Sequence, residues 1–148
     1  MILSTHIVAG AAIALQIQNP ALGLILAFFS NYLLDSLPHS EYSVQNLREH
    51  KWKKSFLDFL KVGFDLLFGF SIILLFSKNY LIALTGGFFA ILPDGLTFLL
   101  FLFPNNKILE KHFKFHEATH LFNTQNISFL WKTISQVAVV LIAVYFLK

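Results

Sequence analysis

The first 34 residues, Met1 to Leu34, contain no Asp, Glu, Lys or Arg. A chain that opens this way cannot present a charged face to water over the length of two helices. The pattern recurs, because Asn79 to Asn106 holds only Asp94 and Thr133 to Leu147 holds no charge at all. Runs of this kind fit a lipid bilayer. Composition points the same way: 13% of residues are charged, against about 25% in soluble domains, and the mean hydropathy is +0.66. For 148 residues this predicts a single membrane-embedded helical domain over 1–148, all-α, a multi-pass transmembrane bundle of about five to six helices.

The absence of cysteine removes disulfides, thiolate metal sites and cysteine nucleophiles, so any metal must be held by His, Asp or Glu. The net charge of +3 is small, and the basic residues sit mostly at or near span ends, so nucleic acid is not an expected partner. Nothing basic precedes the first apolar run, and a cleavable signal peptide is therefore not expected. Membrane lipid is the expected surrounding, and the oligomeric state cannot be read from the chain.

A first helix is expected from Ser4 or Thr5, either of which can cap it, to about Gln16, before the Asn19-Pro20 turn. At 1.5 Å per residue it covers only about 20 Å of a core about 30 Å thick, which draws His6 inside the membrane boundary or into a local dip. A second helix starts with Pro20 and runs to about Leu37, carrying Asp35 in its last turn. After a polar loop from His39 to Lys54, a third runs from about Ser55 to Phe76 with Asp65 near its middle. A fourth runs from Tyr80 toward Phe103 and is expected to break or kink at Pro93-Asp94-Gly95. An amphipathic, histidine-bearing helix from about Ile108 to Phe122 precedes a last span from about Lys132 to Leu147.

Arg48, Lys51, Lys53 and Lys54 lie in one connection, and Lys107, Lys111, Lys114 and Lys132 in another two spans later. The positive-inside rule puts both, together with the N-terminus and His6, on the cytoplasmic side of the plasma or inner membrane.

An Asp near the bilayer centre costs about 2.5 to 3.5 kcal/mol on insertion scales, so Asp35, Asp65 and Asp94 each need a polar cavity or a cation. Histidines supply the complement. His39 follows Asp35 by four residues and His120 follows His116 by four, the spacing that puts two side chains on one helix face, although Pro38 interrupts the first pair. With His6 at the start of the first helix, the topology brings all of these near one boundary. Imidazole and carboxylate without thiolate suit a divalent metal, Zn first and Mn or Fe also, with room for one or more ions. The bland alternatives are a capping His6, an Asp35 that ends a helix, and an Asp65 satisfied by a hydroxyl such as Ser71 or Thr85.

His116-Glu117-Ala118-Thr119-His120 reads as H-E-x-x-H, two metal-binding histidines and a water-activating glutamate, with Asp94 as a possible third ligand. His112 and His50 are read as non-ligands. Glu41, in a loop where a carboxylate needs no special reason, is a possible extra ligand or base. A faint echo, shifted by 59 positions, sets Phe29, Leu33, Asp35 and Leu37 on Phe88, Leu92, Asp94 and Leu96; if real, two related segments each deliver an aspartate to one site.

Thr5-His6 with Gly10, Asp35-Ser36-Leu37-Pro38-His39, Leu92-Pro93-Asp94, and Phe115-His116 with His120 resemble, in order, the motifs of the bacterial and archaeal membrane-bound metal-dependent hydrolases. These are small multi-pass proteins whose ligand pattern is related to that of zinc-dependent phospholipase C. The resemblance implies an all-helical metal site in the membrane, a hydrolase activity, and His6, Asp35, His39, Asp94, His116 and His120 as ligands. The first aspartate motif departs from the commoner Asp-x-Asp-His and leaves the number of metals open. A second resemblance is to intramembrane zinc metalloproteases, but there the H-E-x-x-H precedes the Asp-Gly, whereas Asp94-Gly95 precedes His116 here.

Three functions follow as expectations. The first is a membrane metallohydrolase cleaving a phosphate ester of a lipid or similar amphiphile at the cytoplasmic interface, with Asp65, Glu117 or Glu41 as base. The second is an intramembrane protease using His116, Glu117 and His120. The third is a non-catalytic protein that stores or moves a metal, or whose polar cluster only specifies helix packing.

Overall fold

The computed structural model describes residues 1–120 and 127–148. Among them are eight α-helices and no strand: α1 (Leu3–Gln16), α2 (Pro20–Asp35), α3 (Gln45–Arg48), α4 (Phe56–Phe76), α5 (Tyr80–Ala90), α6 (Leu92–Leu102), α7 (Lys107–Thr119) and α8 (Phe129–Phe146). Two of them, α4 and α8, are long and apolar enough to cross a membrane, and α5 with α6 makes a third candidate bent by 48°. α1 and α2 are apolar but shorter.

The short helix α1 is the axis of the fold. Its residues are buried almost without a break from Ser4 to Ala12, and α2, α4, α5 and α8 all pack on it. A helix apolar on every side belongs inside others, and small residues set how near those others come. A Cβ at Gly10 would collide with Ala90 and stand 2.8 Å from the Gly86 carbonyl oxygen, and one at Gly86 would collide with Ala14 and stand 2.7 Å from the Gly10 carbonyl. The α1–α5 crossing therefore exists only because both positions lack side chains.

Neither Ser4 nor Thr5 caps α1; both lie within it. Its free N–H groups are met from another helix, where Asp65 on α4 accepts from Leu3 N at 2.6 Å and Ser4 N at 3.2 Å. A carboxylate there satisfies orphan donors and the positive end of the helix dipole together. Asp65 lies nine residues after Phe56, so α4 overhangs the start of α1 by about 14 Å. The polar connection 36–55 fills the space below this overhang and contains α3, whose N–H groups at Asn46 and Leu47 are met by Asp58 of α4 at 3.0 and 3.3 Å.

The remaining ends follow local rules. Asn19 caps α2 through Ala21 N and Leu22 N, with Pro20 at its start. That helix stops at Asp35, short of the expected Leu37. The fourth span breaks at Ile91, before the expected Pro93, because Pro93 occupies the first turn of a new helix, where its missing N–H costs nothing. α7 ends at Thr119, and Leu121 and Phe122, where the sequence extends it, lie outside the described residues. α8 starts at Phe129, ahead of the expected Lys132, with the Ser128 hydroxyl accepting from Trp131 N.

Candidate metal centre

The end of α2, the start of α1, the start of α6 and the last turns of α7 converge. Asp35, fully buried at the end of α2, is the hub. His116 Nε2 lies 2.9 Å from Asp35 Oδ2, and His6 Nε2 lies 3.2 Å from Oδ1. His39 and His120 each bring Nε2 to 4.0 Å from the same carboxylate. Two sets of three side chains have ligand atoms within 4.8 Å of one another: Asp35, His39 and His120, and Asp35, Asp94 and His116. Each set can hold a metal ion, and Asp35 is common to both. The two aspartates of the 59-residue echo thus stand in one group.

The hydrogen bonds fix which ring nitrogens face inward. His39 Nδ1 is 2.7 Å from the Leu37 carbonyl, which can only accept, so the ring proton sits on Nδ1. Nε2 of a neutral ring then aims a lone pair at Glu41 Oε1, 2.6 Å away. The Thr97 hydroxyl donates to the Pro93 carbonyl at 3.3 Å and therefore accepts from His116 Nδ1 at 3.2 Å, which leaves the His116 Nε2 lone pair against Asp35. Lone pair against carboxylate is repulsive unless a cation lies between. His6 is fully buried and neither of its nitrogens has a hydrogen-bond partner, an unmet requirement that a metal at Asp35 would satisfy. The donor set, all nitrogen and oxygen, matches a borderline divalent cation. The amino group of Met1 also touches Asp35 and lies 3.7 Å from Glu41, a cationic group in the place where the carboxylates draw one.

Supporting contacts come from uncharged polar residues on the helices that carry the two aspartates. Asn31 donates to Asp94 Oδ2 and to the Ala90 carbonyl, both at 2.8 Å, and so ties the α5–α6 break to the site. Thr97 and the Leu37 carbonyl orient their histidines in the way that outer partners of metal ligands do.

Glu41 sits at the outer edge, half-exposed, 3.4 Å from His120 Nδ1. Where the His39 ring carries its second proton, Nε2 donates to Glu41 and holds the carboxyl down at about 2, with burial working the other way. Burial lowers the pKa of His120 and favours the neutral ring that a metal needs, against the opposing pull of Asp35 and Glu41. A cleft of about 410 Å³ opens beside His39, Ser40 and Glu41.

Two of the candidate bases stand elsewhere. Asp65 is the cap of α1 and belongs to neither group. Glu117 points away to Arg48, 3.5 Å distant, in an exposed pair. His116 and His120 fall into different groups, each of them with Asp35. His112 contacts Tyr32 at 3.0 Å, and neither it nor His50 joins a group. No family model, curated protein or solved structure matches this chain.

Proposed function

We propose that the protein is an integral membrane metallohydrolase that cleaves a phosphate ester of a lipid-like amphiphile. One observation carries the proposal: a fully buried Asp35 shared by two ligand groups, beside a buried His6 that stands 3.2 Å from it and makes no hydrogen bond through either ring nitrogen. His39 and His120 would serve one ion, Asp94 and His116 a second, and His6 would complete the shell at Asp35, with zinc the best match to the donors. When bound, such a cation supplies Lewis acidity and acidifies a water.

The chain's own groups do the rest. Thr97 and the Leu37 carbonyl hold the two imidazoles in the tautomer that leaves Nε2 free. Glu41, at the mouth of the cleft, can receive a proton at Oε1. The α1–α2 hairpin, α4, the bent α5–α6 pair and α8 form a multi-pass bundle, and the lysine-bearing connections at the site end face the cytoplasm, where they attract anionic head groups. The likeness to membrane-bound metal-dependent hydrolases supports the same activity. The protease alternative draws no support from Glu117 in its exposed pair with Arg48.

The test is turnover by detergent-purified protein of p-nitrophenyl phosphate and bis(p-nitrophenyl) phosphate. Activity that disappears on chelation, returns with zinc or manganese, and is missing in His116→Ala is the expected result. Tightly held metal without turnover of any phosphate ester would favour a metal store.

A further inference from the structure

A second cleft, of about 490 Å³, lies between α2 and α8 against α1. Both helices pack on α1, but no substantial contact joins them to each other. The floor of the gap is made of small residues, Ala9 and Ala12 of α1 and Ala143 of α8, and its walls are Leu34 of α2 and Ile142 of α8. Nothing but apolar side chains lines it, apart from Gln16 at the far end.

This cleft shares no lining residue with the one at the metal centre, and the buried Gln136 lies between them on α8, but the two are neighbours along α2 and α8. Leu34 precedes Asp35 on α2. On α8 the residues Lys132, Gln136, Val139, Ala143 and Phe146 follow one another at steps of four and three, and therefore form one stripe down the helix. The upper part of the stripe is polar: Lys132 lines the cleft beside His39 and Glu41, and Gln136 donates to the Ser40 carbonyl at 2.7 Å. The lower part, from Val139 to Phe146, lines the apolar cleft. Lys132 and Val139 are seven residues apart, a separation of about 10 Å along the helix. One face of α8 thus passes from a cationic, hydrogen-bonding end to an oily end, the profile of an anionic amphiphile with one tail.

We infer that the α1–α2–α8 cleft is an acyl-chain site, holding one tail of an anionic lipid whose head group sits under Lys132 at the mouth of the metal centre. Volume and lining suit it, since ligand clefts of roughly 300 to 1,000 Å³ with mostly apolar walls and a few placed polar groups are the usual form of a small-molecule site. That the head group is also cut there rests on the function proposed above; occupation of the cleft by the tail does not.

The experiment uses the full chain in phosphatidylcholine nanodiscs doped with phosphatidic acid that carries a diazirine near the end of one acyl chain. After irradiation, peptide mapping is expected to place most adducts on Ile13, Ile142 and Phe146. Ile142 is 60% exposed, so Ile142→Trp fills the cleft from its rim without crowding the core. It should cut those adducts about tenfold, the loss expected when a tail gives up roughly two buried methylenes. Leu141→Trp, on the same helix but outside the cleft, should leave them unchanged. Lys132→Gln should weaken labelling by the phosphatidic acid probe and not by a phosphatidylcholine probe of the same tail.

Adducts spread evenly over outward residues such as Phe64 and Phe68 of α4, and indifferent to Ile142→Trp, would overturn the inference. The same preparations, assayed for phosphate-ester turnover, separate the two claims. Labelled cleft without turnover keeps the tail site and removes the hydrolase, and turnover without a labelled cleft does the reverse.

Discussion

Two pairs of aspartates lie within this apolar chain, and they are held in different ways. Asp58 and Asp65, one heptad apart on α4, both face the first turns of other helices and receive backbone N–H groups, Asn46 and Leu47 in one case and Leu3 and Ser4 in the other. Asp35 and Asp94 face side chains, and most of what surrounds Asp35 is imidazole nitrogen. An N–H group can only donate, so a carboxylate that meets N–H groups is satisfied and finished. Imidazole can present a lone pair, and a carboxylate that meets lone pairs draws a cation, a place that the Met1 amino group takes at Asp35. The residue type is the same in all four places; what differs is whether the partners complete it.

The sharpest break in this comparison is Asp35→Asn. It removes the ligand common to both groups, and metal carried through purification, read by elemental analysis, should fall to background while Asp65→Asn retains it. Next is Thr97→Val, which leaves every ligand in place and deletes the acceptor at His116 Nδ1 together with the hydroxyl's own bond to the Pro93 carbonyl. Loss of such an outer partner typically costs about 10 to 100-fold in metal affinity, measurable by competition with a chromogenic chelator. Asp65→Ala should act on folding, lowering stability by about 0.5 to 2 kcal/mol, the usual cost of a lost helix cap, with metal content unchanged. Thermal unfolding in detergent reads it. Smallest of all is Glu117→Gln, which breaks an exposed pair and should leave unfolding and metal content at wild-type values.

Much of the centre could be read from the chain because the background is so plain. In apolar runs every ionisable side chain stands out, and His6, Asp35, His39, Asp94, His116 and His120 are conspicuous on that ground alone. What they share in space depends on short helices whose ends, set by Asn19, Pro20 and the Pro93 turn, carry local signals. Asp65 stood out equally and is placed elsewhere, because its partners at Leu3 and Ser4 lie 62 and 61 residues away. No local pattern reveals which of two aspartates will find a helix end and which a histidine. Thr97 and Asn31 were invisible for the opposite reason: an uncharged polar residue is unremarkable in an apolar helix until its neighbours are seen. The central place of α1 was half legible, through the absence of charge and the small residues, while the Gly10–Gly86 contact needed the partner helix.

The most direct measurement is the metal content of three proteins purified side by side in detergent and then exposed to zinc: wild type, Asp35→Asn and Asp65→Asn. Zinc bound to wild type and to Asp65→Asn, and absent from Asp35→Asn, is the outcome that a cation-seeking cluster around Asp35 requires. A wild-type protein that folds, carries no metal and takes up none, or an Asp35→Asn protein that binds as much as wild type, would contradict it.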